Sequence, residues 1–114
     1  MHVVNLSEKT VYSDKSLTKK IVYRDKDVLA FVLNFKPGQV LPTHNHPGMV
    51  TILQVLKGKG KFTLDNETKE LGTSQILICQ GKEMLSLIND GDEELSLYVT
   101  LTPGPTDERY ADEV

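Results

Sequence analysis

Residues 28–35, Val-Leu-Ala-Phe-Val-Leu-Asn-Phe, are apolar at nearly every position. Successive side chains of a strand point to opposite faces. As a strand, this segment places Leu29, Phe31, Leu33 and Phe35 on one face and Val28, Ala30 and Val32 on the other. A strand apolar on both faces has to be covered on both sides, here by a second sheet or a partner subunit. Elsewhere the pattern is half-buried: Leu95, Leu97, Val99 and Leu101 alternate with Ser96, Tyr98 and Thr100. Shorter runs, KFTLD from Lys61, SQILI from Ser74 and MLSLIND from Met84, carry the same period.

Turn-forming residues separate these runs at short intervals. They are Lys36-Pro37-Gly38, Lys57-Gly58-Lys59-Gly60, Asp65-Asn66, Leu71-Gly72 and Asn89-Asp90-Gly91-Asp92. Many short strands at that spacing predict an all-β chain, a sandwich or a small antiparallel β-barrel. A short helix from Ser7 to Tyr12, with Ser7 as its cap, is the sole helical expectation.

A chain of 114 residues supports one core and not two. Its formal net charge of −3 gives no electrostatic footprint for nucleic acid or an anionic membrane. No apolar run approaches the length of a membrane span. Cys79 is the single cysteine, which precludes an internal disulfide and fits a reducing compartment. Met1 to Glu8 lack the basic and apolar regions of a signal peptide, so the expected location is the cytoplasm.

The segment with the most chemistry is Thr43-His44-Asn45-His46, which holds two of the three histidines, the third being His2. In a strand, His44 and His46 aim their imidazoles to one side and offer two neutral nitrogens to one cation. No other catalytic pattern competes with them. Ser74, Ser86 and Ser96 lack a glycine elbow, and GKGK lacks the Ser/Thr and upstream glycine of a phosphate loop.

The stretch from Phe35 to Gly60 resembles the first motif of the cupin superfamily, and Gly72 to Asn89 resembles the second. In the first, Gly38 is followed by five residues and His44-Asn45-His46, and Gly58 closes it. The motif's glutamate falls on Thr51. In the second, Ile78 replaces a proline and Gly81 comes one residue late. Counting from Gly81 puts Met84 in the third-histidine slot, and counting from Asn89 puts Leu85 there. Asn89 opens a turn that pins the register, so Leu85 is preferred, on one face with Leu87 and Asn89. The resemblance implies a cupin-like double-sheet jelly roll over residues 25–102. Residues 1–24 then form an N-terminal extension and first strand, and 103–114 an acidic C-terminal tail.

Metal-binding cupins offer three histidines and a glutamate, and that ligand set carries over only at His44 and His46. The resemblance therefore implies a degenerate metal centre, holding zinc, iron, manganese or nickel weakly if at all. The expected function is small-molecule binding in a pocket of His44, His46, Thr51 and Leu85. Aliphatic Leu85 makes that pocket drier and suits it to an apolar or aromatic ligand. The alternative is a metal-dependent oxygenase or isomerase with a non-standard ligand set, for which Glu83 or Cys79 would have to supply the missing donor. Met84 reads as packing, Gln54 points to the outer face, and His2 reaches the site only if the N-terminus folds back. A third reading, a metal-free epimerase-like site, would pair His44 or His46 with Tyr98. A homodimer is also expected, because Val28, Ala30, Val32, Ile52 and Leu56 face away from the core.

Overall fold

A computed structural model describes residues 1–105. Nine strands form in order: β1 (Thr18–Arg24), β2 (Leu29–Phe35), β3 (Val40–His44), β4 (Val50–Lys57), β5 (Lys59–Leu64), β6 (Glu67–Gly72), β7 (Ile76–Gln80), β8 (Leu85–Ile88) and β9 (Leu95–Thr102). They make two antiparallel sheets, ordered β1-β2-β9-β4-β7 and β3-β8-β5-β6. The sheets face one another as a jelly roll, as the alternation predicts. No α-helix occurs among the described residues, and no helix is long and apolar enough to cross a membrane. The acidic stretch at 106–114 lies outside the described residues.

The core lies between the sheets. Leu29, Phe31, Leu33 and Phe35 of β2 pack with Leu53 and Val55 of β4, Phe62 of β5, Leu85 and Leu87 of β8, and the odd-numbered residues of β9. β1 pairs with β2 from Thr18 opposite Asn34 to Arg24 opposite Leu29, so it is an integral edge strand of the larger sheet. Gly58 makes the tight β4–β5 turn at φ +80°, where an added β-carbon would lie 2.3 Å from the Glu94 carbonyl oxygen.

All seven residues of β2 are buried, including Ala30 and Val32 on the outer face. The cover comes from the same chain. The segment before β1 lies across the outer face of β2 and β9, held by a polar network under it. Asn34, fully buried, donates from Nδ2 to the Lys9 carbonyl (2.8 Å) and to Thr18 Oγ1 (3.1 Å). Ser96 Oγ donates to Asn34 Oδ1 at 2.8 Å, the Tyr12 hydroxyl bonds Ser96, and Thr18 Oγ1 donates to the Val11 carbonyl. Ala30 and Val32 therefore do not need a partner subunit to bury them, which corrects part of the ground for expecting a dimer.

The predicted helix from Ser7 to Tyr12 is a single 3-10 turn, Leu6–Lys9, following Asn5. Ser7 does not cap it; the turn is tied instead by Thr10 Oγ1 donating to the Leu6 carbonyl at 2.9 Å. The cover is organised by hydrogen bonds to the sheet and has no helical periodicity of its own.

Asn34→Ala removes an amide that satisfies buried groups on both sides of the network. It should destabilise the fold by about 1–3 kcal/mol, the usual cost of one buried group left unpaired. Urea unfolding measures this, and a loss below about 0.5 kcal/mol, typical of a neutral surface change, would show the cover to be held by other means.

Candidate functional site

A cavity of about 230 Å³ opens between the sheets at the end where β3 gives way to β4. Its walls are mostly aliphatic, with Leu41, Leu53, Leu85, Val99 and Leu101 among them, and Phe31 and Leu33 from β2. Its polar groups are His44, His46, Thr51 and Lys19. The four expected pocket residues, His44, His46, Thr51 and Leu85, thus share one cavity.

The route by which the histidines reach it differs from simple alternation. Leu41 pairs with Leu87 and His44 with Leu85, three residues on β3 against two on β8. This β-bulge turns His44 to the side that Leu41 already occupies; an unbroken strand would have sent Thr43 there. His46 is not in the strand at all, because β3 ends at His44. It is placed by the turn to β4: its N–H donates to the Gly81 carbonyl (3.2 Å), and the Met49 N–H donates to its carbonyl (3.0 Å). Gly81 is required for this approach, since a β-carbon there would lie 2.5 Å from the His46 carbonyl oxygen and 2.8 Å from that of Met49. The rings of His44 and His46 end up edge to face, with centroids 4.8 Å apart.

The two imidazoles have different surroundings. His44 Nδ1 lies 2.8 Å from the Pro42 carbonyl, which can only accept, so Nδ1 donates to it. Burial, with smaller contributions from His44 and Lys19, pushes the His46 pKa down from 6.5 to about 4. His46 is therefore neutral at physiological pH.

On the opposite wall Thr51 is buried, paired across the ladders with Cys79 and Leu101. Leu85 is buried while Met84 is exposed, so the register set by Asn89 places the leucine and not the methionine in the cavity. Asn89 itself is fully buried and accounts for that register. Its Nδ2 donates to the carbonyls of Phe35 (3.1 Å) and Glu93 (2.8 Å), and its backbone exchanges bonds with Gly38 and Gln39.

The other candidates lie elsewhere. Glu83 Oε1 accepts from the Gln80 N–H at 2.7 Å within the β7–β8 loop. Cys79 is buried with its sulfur toward the Gln80 and Glu83 carbonyls, and desolvation raises its pKa. Neither lines the cavity. Tyr98 and Gln54 lie on the outer face, in a shallow groove with Leu6, Leu56 and His2, whose ring sits 5.8 Å from that of Tyr23. The site pairing a histidine with Tyr98 is thereby corrected, because the two lie on opposite faces of the sheet. Lys19 was not anticipated. The signal was its place two residues from Leu17 and Ile21, on the inward side of β1.

Among the described residues, no group of three or more His, Cys, Asp and Glu comes together as a metal site. The donors present at the family's ligand positions, two imidazoles, a hydroxyl and an aliphatic group, do not fit a catalytic centre, which needs three protein ligands or two histidines and a carboxylate.

The chain belongs to the cupin family: residues 31–101 match the cupin domain model, Cupin_2. Among solved structures it is similar to an uncharacterised double-stranded β-helix protein of Klebsiella pneumoniae, with a TM-score of 0.87 and 20% identity over 94% of each chain. A Thermus thermophilus protein gives the same TM-score and identity, over 92% of this chain and 100% of that one. An RmlC-like cupin protein of Desulfovibrio desulfuricans has a TM-score of 0.80 at 24% identity, over 90% and 97%. These likenesses concern the fold. No curated protein matches the sequence.

The depressed His46 pKa makes a prediction with a definite sign. Between pH 6.5 and about 4 the unfolded chain binds a proton at His46 that the folded chain does not. Stability contributed by this group is present above pH 6.5 and is lost as pH falls toward about 4. Imidazole NMR should place the His46 titration near 4, and His46→Gln should flatten the stability profile in that window. A His46 titration at the ordinary histidine value would contradict the desolvated placement.

Proposed function

We propose that this cupin is a small-molecule-binding protein that takes its ligand into the cavity between the sheets. The observation that carries the reading is the cavity itself, a mostly apolar space between the sheets into which His44, His46 and Thr51 converge. Ligand sites have this composition: an apolar wall for affinity and a few placed polar groups for orientation. Leu85 supports it, because an aliphatic group where the family places a histidine trades a ligand atom for a dry wall. The metal-dependent alternative would need a charged third donor, and Glu83 and Cys79 are engaged in the β7–β8 loop. The buried lone thiol is compatible with the expected cytoplasmic location.

Metal titration separates the two. Natural protein should bind zinc weakly, because two neutral imidazoles supply no charge. Thr51→Glu with Leu85→His adds a carboxylate and an imidazole facing the same cavity. The double variant should bind zinc at least about a hundredfold tighter, with a zinc-dependent rise in melting temperature. Each single change should give less. Nanomolar zinc or iron binding by the natural protein in calorimetry would reject the binding-module reading.

We further propose that the active unit is an isologous homodimer through the outer face of β4 and β7. With β2 covered, the apolar surface left on this sheet is Ile52, Ile76 and Ile78, which are 38%, 56% and 58% exposed. Ile52 and Ile78 are ladder partners, Ile76 pairs with Gln54, and the row runs on into the groove bounded by Val4 and Leu6. Such a continuous patch suits a second copy of itself. Sedimentation should give a species of twice 12.8 kDa, reduced to the monomer by Ile78→Glu. A natural protein that sediments as a monomer at micromolar concentration would reject the dimer.

A further inference from the structure

The inward row of β4 is Thr51, Leu53 and Val55, all buried, with relative exposures of 3%, 2% and 1%. Two of the three are hydrocarbon. The first differs from a valine only by its hydroxyl, and that residue lines the cavity. The Thr51 hydroxyl makes no hydrogen bond to any protein group among the described residues. Its neighbours explain why. Across the ladders stand Leu101 of β9, which has nothing to offer, and Cys79 of β7, whose sulfur is directed to the Gln80 and Glu83 carbonyls. Leu53 and Leu85 line the same cavity and are aliphatic. Buried hydroxyls are ordinarily bonded, and one left without a protein partner calls for an explanation.

We infer that Thr51 is the specificity-determining residue of the cavity, and that the ligand is a small alcohol or phenol whose hydroxyl bonds Thr51 Oγ1 while its hydrocarbon lies against Leu53, Leu85 and Leu101. This inference rests on the pocket-binding reading above and adds the chemical class of the ligand.

Three considerations lead to that class. A threonine hydroxyl both donates and accepts, and a ligand hydroxyl matches it in both roles. One neutral hydroxyl returns much less than the dehydration of an ionised group costs, so the function it suits is uncharged. The volume of about 230 Å³ corresponds to roughly eight waters at about 30 Å³ each, so the ligand has on the order of eight non-hydrogen atoms. The site is also prepared in advance. Thr51 stands between two paired strands, and a β-branched side chain has little freedom at its first torsion, so the hydroxyl is held in place before a ligand arrives.

The competing account is that Thr51 serves as a β-branched strand former and its hydroxyl is incidental. That account predicts that valine replaces it without any change in what the cavity selects, so the two can be told apart.

Benzyl alcohol and ethylbenzene are matched probes, alike in shape and differing by a hydroxyl in place of a methyl. Binding is read by NMR titration, with the His44 and His46 ring protons reporting the location. Thr51→Val should weaken benzyl alcohol at least about fivefold, the worth of one hydrogen bond, and leave ethylbenzene within about twofold of its former affinity. Thr51→Ser, which keeps the hydroxyl, should retain the preference for the alcohol. Thr51→Ala gives a second removal of the hydroxyl should the valine variant fail to fold. A Thr51→Val change that shifts both probes equally, or neither, overturns the alcohol inference and leaves the pocket reading intact, as does binding of ethylbenzene alone. Failure of both probes to move either histidine at millimolar concentration overturns the pocket reading and the inference together.

Discussion

The structure depends on β2 being buried on both faces. A strand so apolar cannot tolerate water on either side, and the barrel supplies only one cover, the opposing sheet. The other cover is a non-helical segment, and such a segment has unpaired backbone groups that make it a poor lid for an apolar surface. Asn34 and Ser96 resolve the conflict by placing an amide and a hydroxyl inside the interface, where they meet the Lys9 carbonyl, Thr18 and Tyr12. These bonds fix the approach of the chain into β1, and β1 in turn sets Lys19 over Phe31. The polar network on the outside of the sheet thus determines what the cavity on its inside contains.

The other end of the cavity is shaped by local irregularity. A bulge in β3 re-aims His44, and a turn packed on Gly81 supplies His46. Regular strand geometry would have delivered neither ring in its observed position. The outcome is an imidazole pair in which one member is polarised by a carbonyl and the other is desolvated. His46 is neutral at physiological pH, and both rings stand beside a hydrophobic wall. That is a favourable setting for orienting a ligand and a poor one for holding a divalent cation by charge.

Much of the fold was legible because its strands obey the simplest rule of sheet proteins. The alternation in β9 and the two-faced β2 predict the burial of their apolar residues, though not that of Ser96, and the turn residues fall between the strands. Asn89 is a case where sequence reasoning reached the site: treating it as a fixed turn placed Leu85, not Met84, in the cavity. The failures have a common physical origin in non-local packing. The β3 bulge is set by pairing with β8, the position of His46 by the carbonyl of Gly81, and the cover on β2 by hydrogen bonds from residues far away in sequence. Strand β6, with most of its residues exposed, carries no apolar period to read. Lys19 escaped notice because a lysine in a strand ordinarily reads as solvent-facing, and only the register against Leu33 turns it inward.

The network under the N-terminal segment also bears on what constitutes a foldable unit. The family match begins at residue 31, inside β2, yet the surface of β2 is completed by residues from Lys9 to Thr18. A barrel excised at the family boundary would expose Val32 on the same sheet face as Ile52 and Ile78, turning a half-covered sheet into a continuous adhesive one. The packed unit therefore includes residues well ahead of the family match, and these leading residues shield part of the outer face of the sheet. Grafting this pocket onto another chain would mean carrying the strap along with the barrel.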